Sequence, residues 1–463
     1  MRCEYHNIGF SLNETMMAEL PYTQALYRHE PKNGQAAADA DFQQDVKDYF
    51  AFPLAHSENM PVYELGISAC AEIETVFELS YAMLVEALGK LFARGNATVL
   101  EYMGCNFLRK HPSFIDYAKF TYHDSGSARQ SIYGRFDAVF NPETDKVEGI
   151  YEFNGDTPTM LFESALLQNQ ICERITGDGE MQLNSFYPLL TSLFENMGEV
   201  PGKVGIICDN NSFEDVATCE VLAQVIGDEC GNEIRYVDTT EIDFDYNNKH
   251  NPFCAGDDHF AVMFALVPWE EIIESFSKHC PQAMEKWQDW AGHVTFLEPA
   301  WRWFISNKGI WAFVTHLFET DEDFKLRYAE VPLLPTYLSQ DRFIEKGEPF
   351  VGKPKIGRMS NNIEIFKADG SHEFSTDGAY AGDDRVFQMY AEPFKVNGRH
   401  NFIIGMFMVP DEATNYNTMR NATAATLCIR EFDSPVLGIC NERFIPHILI
   451  EDGEDVDGEE DFE

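Results

Sequence analysis

Four polar side chains in two short runs carry the clearest chemical signal in this chain. Gly134-Arg-Phe-Asp137 lies in a strand-like segment at 131–140, and Tyr151-Glu-Phe-Asn154 closes a second at 147–154. The run Asn141-Pro-Glu-Thr-Asp-Lys146 supplies the turn between them. Side chains alternate across a strand, so Arg135 and Asp137 share one face, as do Glu152 and Asn154. A single antiparallel register sets Arg135 opposite Asn154 and Asp137 opposite Glu152, with the aromatics buried behind. Two carboxylates and an amide oxygen are hard ligands suited to Mg²⁺, and a neighbouring arginine can hold a phosphoryl group without competing for the metal. A hairpin with a salt-bridged polar face shows the same pattern and is commoner, so spacing alone favours that plainer reading.

The elements that must position these residues are legible from periodicity. Over 67–92 the apolar positions Ala71, Ile73, Val76, Phe77, Leu79, Met83, Leu84, Ala87 and Leu91 predict a long amphipathic helix, and another is expected to start near Thr159 and run to Ile175. Lys203-Val-Gly-Ile-Ile207 and Ile234-Arg-Tyr-Val237 read as strands flanking a helix through Val216, Cys219, Leu222, Ala223 and Ile226, and 260–266 reads as a further buried strand. This is a small Rossmann-like unit that lacks a G-x-G-x-x-G fingerprint. With the Gly/Pro-rich stretch 350–357 and the alternating strands after Val386, the expected class is α/β (α+β).

Composition narrows the function. Against 34 Lys+Arg stand 77 Asp+Glu, a formal charge of -43, which repels nucleic acid and anionic membrane surfaces. The 11 cysteines form no C-x-x-C pair, which argues against a disulfide framework or a zinc site and fits a reducing cytosol. No uncharged apolar run reaches the ~20 residues of a membrane span, and the first residues carry no secretory pattern, so a soluble cytoplasmic protein is expected. His250, Cys254 and His259 are spaced too loosely for a metal site with no fourth ligand in view.

The hairpin gains meaning from a resemblance. Gly134-Arg-Phe-Asp137 followed by Tyr151-Glu-Phe-Asn-Gly-Asp-Thr-Pro-Thr159 and Glu163 resembles the synthetase domain of the glutathionylspermidine synthase family. Leu297-Glu-Pro-Ala-Trp301 with Ser306-Asn-Lys308, Lys353-Pro-Lys-Ile-Gly-Arg358 with Asn361-Asn-Ile363, Val386-Phe-Gln388, and Ile429-Arg-Glu431 with Arg443-Phe-Ile-Pro-His447 are similar to further blocks of that family, in family order. No counterpart of the amidase domain of its bifunctional members is expected before Arg135.

The resemblance implies an atypical ATP-grasp fold with a small Rossmann-like pre-ATP-grasp unit. The division expected is 1–200 with the metal-site hairpin, 201–295 as the Rossmann-like unit, 296–450 as the ATP-binding part and 451–463 as an acidic solvated tail. It implies a ligase using ATP and Mg²⁺ to join glutathione to spermidine through an acyl phosphate. A different acid and amine, or a non-catalytic ATP-binding relative, are the rival readings. Asp137, Glu152 and Asn154 would bind the metal, and Arg135 would steady the transferring phosphoryl group. Lys308, Lys353, Gln388 and Arg430 would contact ATP, with Gly357 and Arg358 in a lid. Thr157 and Thr159 would hold the glutathione end, and Glu214 and Asp215 the polyamine. Two departures stand out. Gly155 replaces the usual alanine, which would loosen the strand end, and 408–423 carries extra residues.

Overall fold

The first strand, β1 (Arg2–His6), pairs antiparallel with β2 (Met60–Gly66), which leads directly into the long helix α1 (Ile67–Ala93). The computed structural model describes residues 1–9, 16–30, 32–50, 58–123, 131–197, 200, 202–248, 250–279, 281, 294–410, 422–438 and 442–452. The tail from 453 onward and most of the 408–423 stretch lie outside these. Helix α1 spans the segment expected from its apolar period and buries Phe77 and Tyr81, one turn apart, against the hairpin.

That hairpin is β3 (Gly134–Asn141) and β4 (Lys146–Asn154), in the expected register: Arg135 faces Asn154 and Asp137 faces Glu152. Phe136 and Phe153 pack against each other behind it, tilted, with ring centroids 4.4 Å apart, and Phe77 and Tyr81 of α1 cover them. Apolar burial on one face thus fixes which face carries the charges.

A parallel four-stranded sheet follows, in the order β8-β7-β5-β6, from β5 (Val204–Cys208), β6 (Ile234–Asp238), β7 (Val262–Ala265) and β8 (Thr295–Leu297). Helix α2 (Phe213–Gln224) connects β5 to β6, and α3 (Trp269–His279) follows β7. All five residues of β5 are buried, which suits a central strand covered on both faces.

Two short helices, α4 (Ala300–Ser306) and α5 (Gly309–Thr320), lead into an antiparallel sheet ordered β9-β13-β10-β11-β12. Its strands are β9 (Thr336–Tyr337), β10 (Phe350–Pro354), β11 (Glu364–Phe366), β12 (His372–Ser375) and β13 (Arg385–Met389). The chain then returns to the hairpin. Strands β14 (Asn401–Pro410), β15 (Ala422–Phe432) and β16 (Arg443–Ile445) extend it into the sheet β16-β15-β14-β3-β4, and β17 (His447–Ile450) joins β2. The charged face of the hairpin therefore belongs to a sheet built from sequence segments nearly three hundred positions apart. Among the described residues no helix is long and apolar enough to cross a membrane.

The helix expected from Thr159 begins later and differently. Met160 has a φ of 66°, and a π-helical turn (Phe162–Leu167) precedes the α-helix Gln168–Thr176. Thr159 is therefore not the N-cap, a position held by Leu161. Such π turns recur at functional sites.

Candidate active site

Asp137 is the hub of the charged face. Its carboxylate accepts from Arg135 Nε at 2.9 Å, from Arg430 Nη2 at 2.6 Å and from Asn154 Nδ2 at 3.3 Å. Arg430 lies two strands away on β15 and reaches across β14 because Gly405, paired with Asp137, has no side chain. A Cβ there would sit 3.0 Å from Arg135 Cδ and 3.1 Å from Asp137 Oδ1. Burial disfavours the Asp137 carboxylate, but Arg135 and Arg430 outweigh it and hold its pKa below the usual range. The Asn154 amide donates to Asp137, so its oxygen is the atom left to face a ligand.

Glu152 is tied to the second half of the site. Lys308 Nζ lies 3.1 Å from Glu152 Oε2 and donates to the Gly357 carbonyl at 2.8 Å. Lys353 Nζ donates to Gln388 Oε1 at 2.7 Å. Burial resists ionisation of Glu152, and the Lys308 and Lys353 ammoniums reverse that, lowering its pKa. The same burial lowers Lys353 to about 8, with Glu152 pulling the other way. Lys308 occupies the N-cap of α5.

Asp137, Glu152, Lys308 and Lys353 line one end of a cleft of about 880 Å³, including its open mouth. The other end is apolar, with Val351, Ile363, Ile365, Tyr390, Val436 and Leu437. A polar, basic end and an apolar slot suit a molecule with a charged tail and a flat base. The hinge at Gln388–Tyr390 lines this slot, yet the Met389 and Tyr390 amides are already spent on Pro335 and Pro349 carbonyls. Gln388 acts here through its side chain on Lys353.

One aromatic departs from the expected arrangement. The ladder slips between Asp137 and Ala138, whose partners are Glu152 and Ile150, so Tyr151 is an extra residue in a β-bulge. Tyr151 and Glu152, neighbours in sequence, consequently both line the cleft, while Phe153 is buried behind.

The substrate-side candidates divide into two groups. Arg358 forms a bidentate pair with Asp156 (3.2 and 2.8 Å), donates to Thr157 Oγ1 at 2.8 Å and meets Glu270 of α3 at 3.2 Å. Its loop carries positive φ at Met359, Ser360 and Asn362. The arginine expected to be mobile is thus held on the 151–159 segment. Thr159 accepts from Arg135 Nη1 on its carbonyl at 2.7 Å, and its hydroxyl opposes the burial that raises the Glu214 carboxyl.

Glu214 and Asp215 start α2, whose N-cap Ser212 accepts from the Asp215 amide at 3.4 Å, but both side chains are half-buried rather than on a free surface. Burial and then Glu214 push Asp215 up to about 7, and burial raises Glu214. Sequence reasoning missed Glu442, which meets Arg430 at 3.4 Å, and the partner of Glu163, Tyr49, whose hydroxyl donates to it at 2.6 Å. Burial raises Glu163 to about 7. A carboxyl with a raised native pKa binds a proton that the unfolded chain has released, so between about pH 4.5 and 7 stability falls as pH rises, and it levels off above. Glu163→Gln is therefore expected to flatten that slope and to raise stability at pH 8 relative to pH 5 by up to about 3 kcal/mol. Urea midpoints at the two pH values read this; an unchanged slope would mean Glu163 is ionised throughout.

Behind the hairpin, Arg302 of α4 is fully buried and grips both strand ends. It donates to Tyr133 O at 2.8 Å, just before β3, and to Gly155 O at 2.9 Å, just after β4. Its Nη1 donates to Tyr81 Oη at 2.9 Å, and Glu298 Oε2 lies 3.1 Å from its Nε. Glu298 itself accepts the Ile132 and Tyr133 amides at 2.9 and 3.0 Å. The Glu-Pro-Ala-Trp block is thus a clamp on the hairpin. Gly155 belongs to it, and rather than loosening the strand end it permits close packing. A Cβ there would lie 2.9 Å from Phe153 Cε1 and 3.1 Å from Arg302 O, and its amide donates to Ser306 Oγ at 2.8 Å.

Among the described residues no three His, Cys, Asp or Glu side chains gather into a metal cage. The Asp137, Glu152 and Asn154 set instead matches an ion that takes its other ligands from water and phosphates.

Similar proteins place the chain in the class of ligases that join carbon to nitrogen. The chain is 27% identical over 311 residues (64% of this chain, 72% of the relative) to a Haemophilus influenzae protein assigned as an acid–amine ligase. It is 25% identical over 304 residues to trypanothione synthetase of Crithidia fasciculata, covering 60% of this chain but only 43% of that longer protein. In fold it resembles a glutathione synthetase-like effector of Globodera pallida, with a TM-score of 0.50 at 10% identity over 96% of this chain and 99% of that one. The profile described as glutathionylspermidine synthase preATP-grasp matches residues 41–450, and the chain belongs to that family.

Proposed function

We propose that the protein is an ATP- and Mg²⁺-dependent, ADP-forming carboxylate–amine ligase of ATP-grasp type, with glutathione and spermidine as the favoured acid and amine. The observation that carries this reading is the convergence of Asp137, Glu152, Lys308 and Lys353 at the polar end of a cleft whose other end is apolar. Asp137, Glu152 and Asn154 would hold Mg²⁺, which supplies charge neutralisation at the phosphates. Lys308 and Lys353 bind phosphate oxygens, and Arg135 faces the transferring group. Arg430 orients Asp137 while neutralising it, Gly357 borders the phosphate end, and Arg358 pins the loop that follows it to Asp156 and Thr157.

The reaction proceeds in two balanced steps. A substrate carboxylate oxygen attacks the γ-phosphorus and ADP leaves; the neutral amine then attacks the acyl carbon, phosphate leaves and one proton is released. Thr157 and Thr159 would receive the end of the acid, and Glu214 and Asp215 a distal ammonium. A closed site protects the acyl phosphate from water. The described cysteines are all free thiols, which fits a cytosolic setting.

A different acid–amine pair is the second reading, favoured by the departure of 408–423 from the family pattern beside β14 and β15. The experiment is ADP release from MgATP across glutathione, peptides and amino acids crossed with polyamines. Release that needs both an acid and an amine supports the ligase and identifies the pair. Nucleotide binding with no ADP release for any pair sinks it in favour of a non-catalytic relative.

A further inference from the structure

We infer that Tyr151 is a nucleotide-positioning residue that locks the hinge of the cleft to its phosphate-binding lysine. The inference rests on the nucleotide reading of the cleft and adds to it a residue with no place in the chemistry above.

In a regular strand Tyr151 would point away from Glu152, toward α1 and the aromatic layer. The bulge turns it into the cleft, and there it makes contacts at both ends. Its hydroxyl donates to the Ala391 carbonyl at 2.8 Å, immediately beyond β13 and the hinge. Its ring centroid lies 5.6 Å from Lys353 Nζ, and its own carbonyl accepts from that ammonium at 3.4 Å. A cation over an aromatic face is held electrostatically, more strongly where water is excluded. Burial raises the Tyr151 phenol, so it remains a neutral donor.

Lys353 therefore has three fixed contacts, two from Tyr151 and one from Gln388, and both residues also touch the hinge side of the slot. A base seated in the slot presses on the wall that orients the lysine at the other end. The contacts of its ring and hydroxyl go to Lys353 and Ala391, so substitutions of the side chain leave the Asp137, Glu152 and Asn154 side chains in place.

The test is calorimetric binding of Mg·ADP and of AMP to the full chain. Tyr151→Phe keeps the ring and loses the hydroxyl bond, and is expected to weaken both nucleotides by about five-fold, the worth of one hydrogen bond. Tyr151→Leu also removes the ring face from Lys353, whose bonds to the backbone carbonyl and to Gln388 remain, and is expected to weaken Mg·ADP by about a further five-fold while leaving AMP as in Tyr151→Phe. The unfolding midpoint without nucleotide is expected to match the parent for Tyr151→Phe. Parent-like affinities in both variants overturn the inference, as does an equal loss of ADP and AMP in Tyr151→Leu. Absence of nucleotide binding by the unsubstituted chain overturns it together with the reading of the cleft, so the two failures are distinct.

Discussion

Asp137→Ala is expected to lower amine-dependent ADP formation by about 10²–10³-fold and to destabilise the fold by about 3–5 kcal/mol. The stability loss arises because Arg135 and Arg430 are both buried and share this carboxylate at 2.9 and 2.6 Å. Removing one partner leaves desolvated guanidinium charge without its counter-ion, which costs more than the pair was worth. The activity loss has a separate origin, since the same carboxylate is the proposed metal ligand. Loss of one preorganised electrostatic group lowers turnover by about 10²–10³-fold. Asp137→Asn separates the two effects: it keeps shape and some hydrogen bonding, so it should recover part of the stability and little of the activity. Urea denaturation and a coupled ADP assay at saturating Mg²⁺ read both quantities. Near-normal ADP formation in either variant would remove Asp137 from the metal site.

The second large effect is expected far from the cleft. Arg302→Leu should cost about 3–5 kcal/mol, because it strands Glu298 as a buried carboxylate and frees the Tyr133 and Gly155 carbonyls. These carbonyls bracket Arg135 and Asn154, so the strand ends that set the active geometry lose their anchor. A displacement near 1 Å at reacting groups costs about 10²-fold in rate, so activity should fall even where the variant remains folded. Combining Arg302→Leu with Glu298→Gln should cost less than the sum of the single changes by about 1 kcal/mol or more, as partners in one network do. Additive losses would show that the two side chains stabilise the hairpin independently.

Much of the site was legible in the sequence because its core is local. Strand alternation and a short connecting loop were enough to place Arg135 opposite Asn154 and Asp137 opposite Glu152, and the ladder has that register. Helix α1 was legible for the same reason, as one long run of a single period. Sequence patterning failed where geometry depends on one inserted residue or on distant partners. The bulge that turns Tyr151 into the cleft changes no residue type, and the alternating pattern reads the same with or without it. Arg430 reaches Asp137 only because Gly405 leaves room between their strands, a fact that requires knowing which three strands are adjacent. Tyr49 finds Glu163 across 114 positions, and no local signal marks either as the other's partner. Arg302 carried no mark in the sequence, since a buried clamp and a surface arginine have the same letter. Gly155 was misread for a related reason: a glycine suggests looseness until the backbone and ring pressed against it are seen.

The cluster of Arg135, Arg430, Lys308 and Lys353 around two carboxylates has a consequence for how ligands arrive. The chain as a whole carries a formal charge of -43, so the site is a small region of opposite sign within a strongly negative field. Charges more than about one Debye length away, ~8 Å in physiological salt, are largely screened, so a polyphosphate at the mouth of the cleft responds mainly to the cations nearest it. The local sign at this end of the cleft therefore favours an anion although the chain as a whole does not.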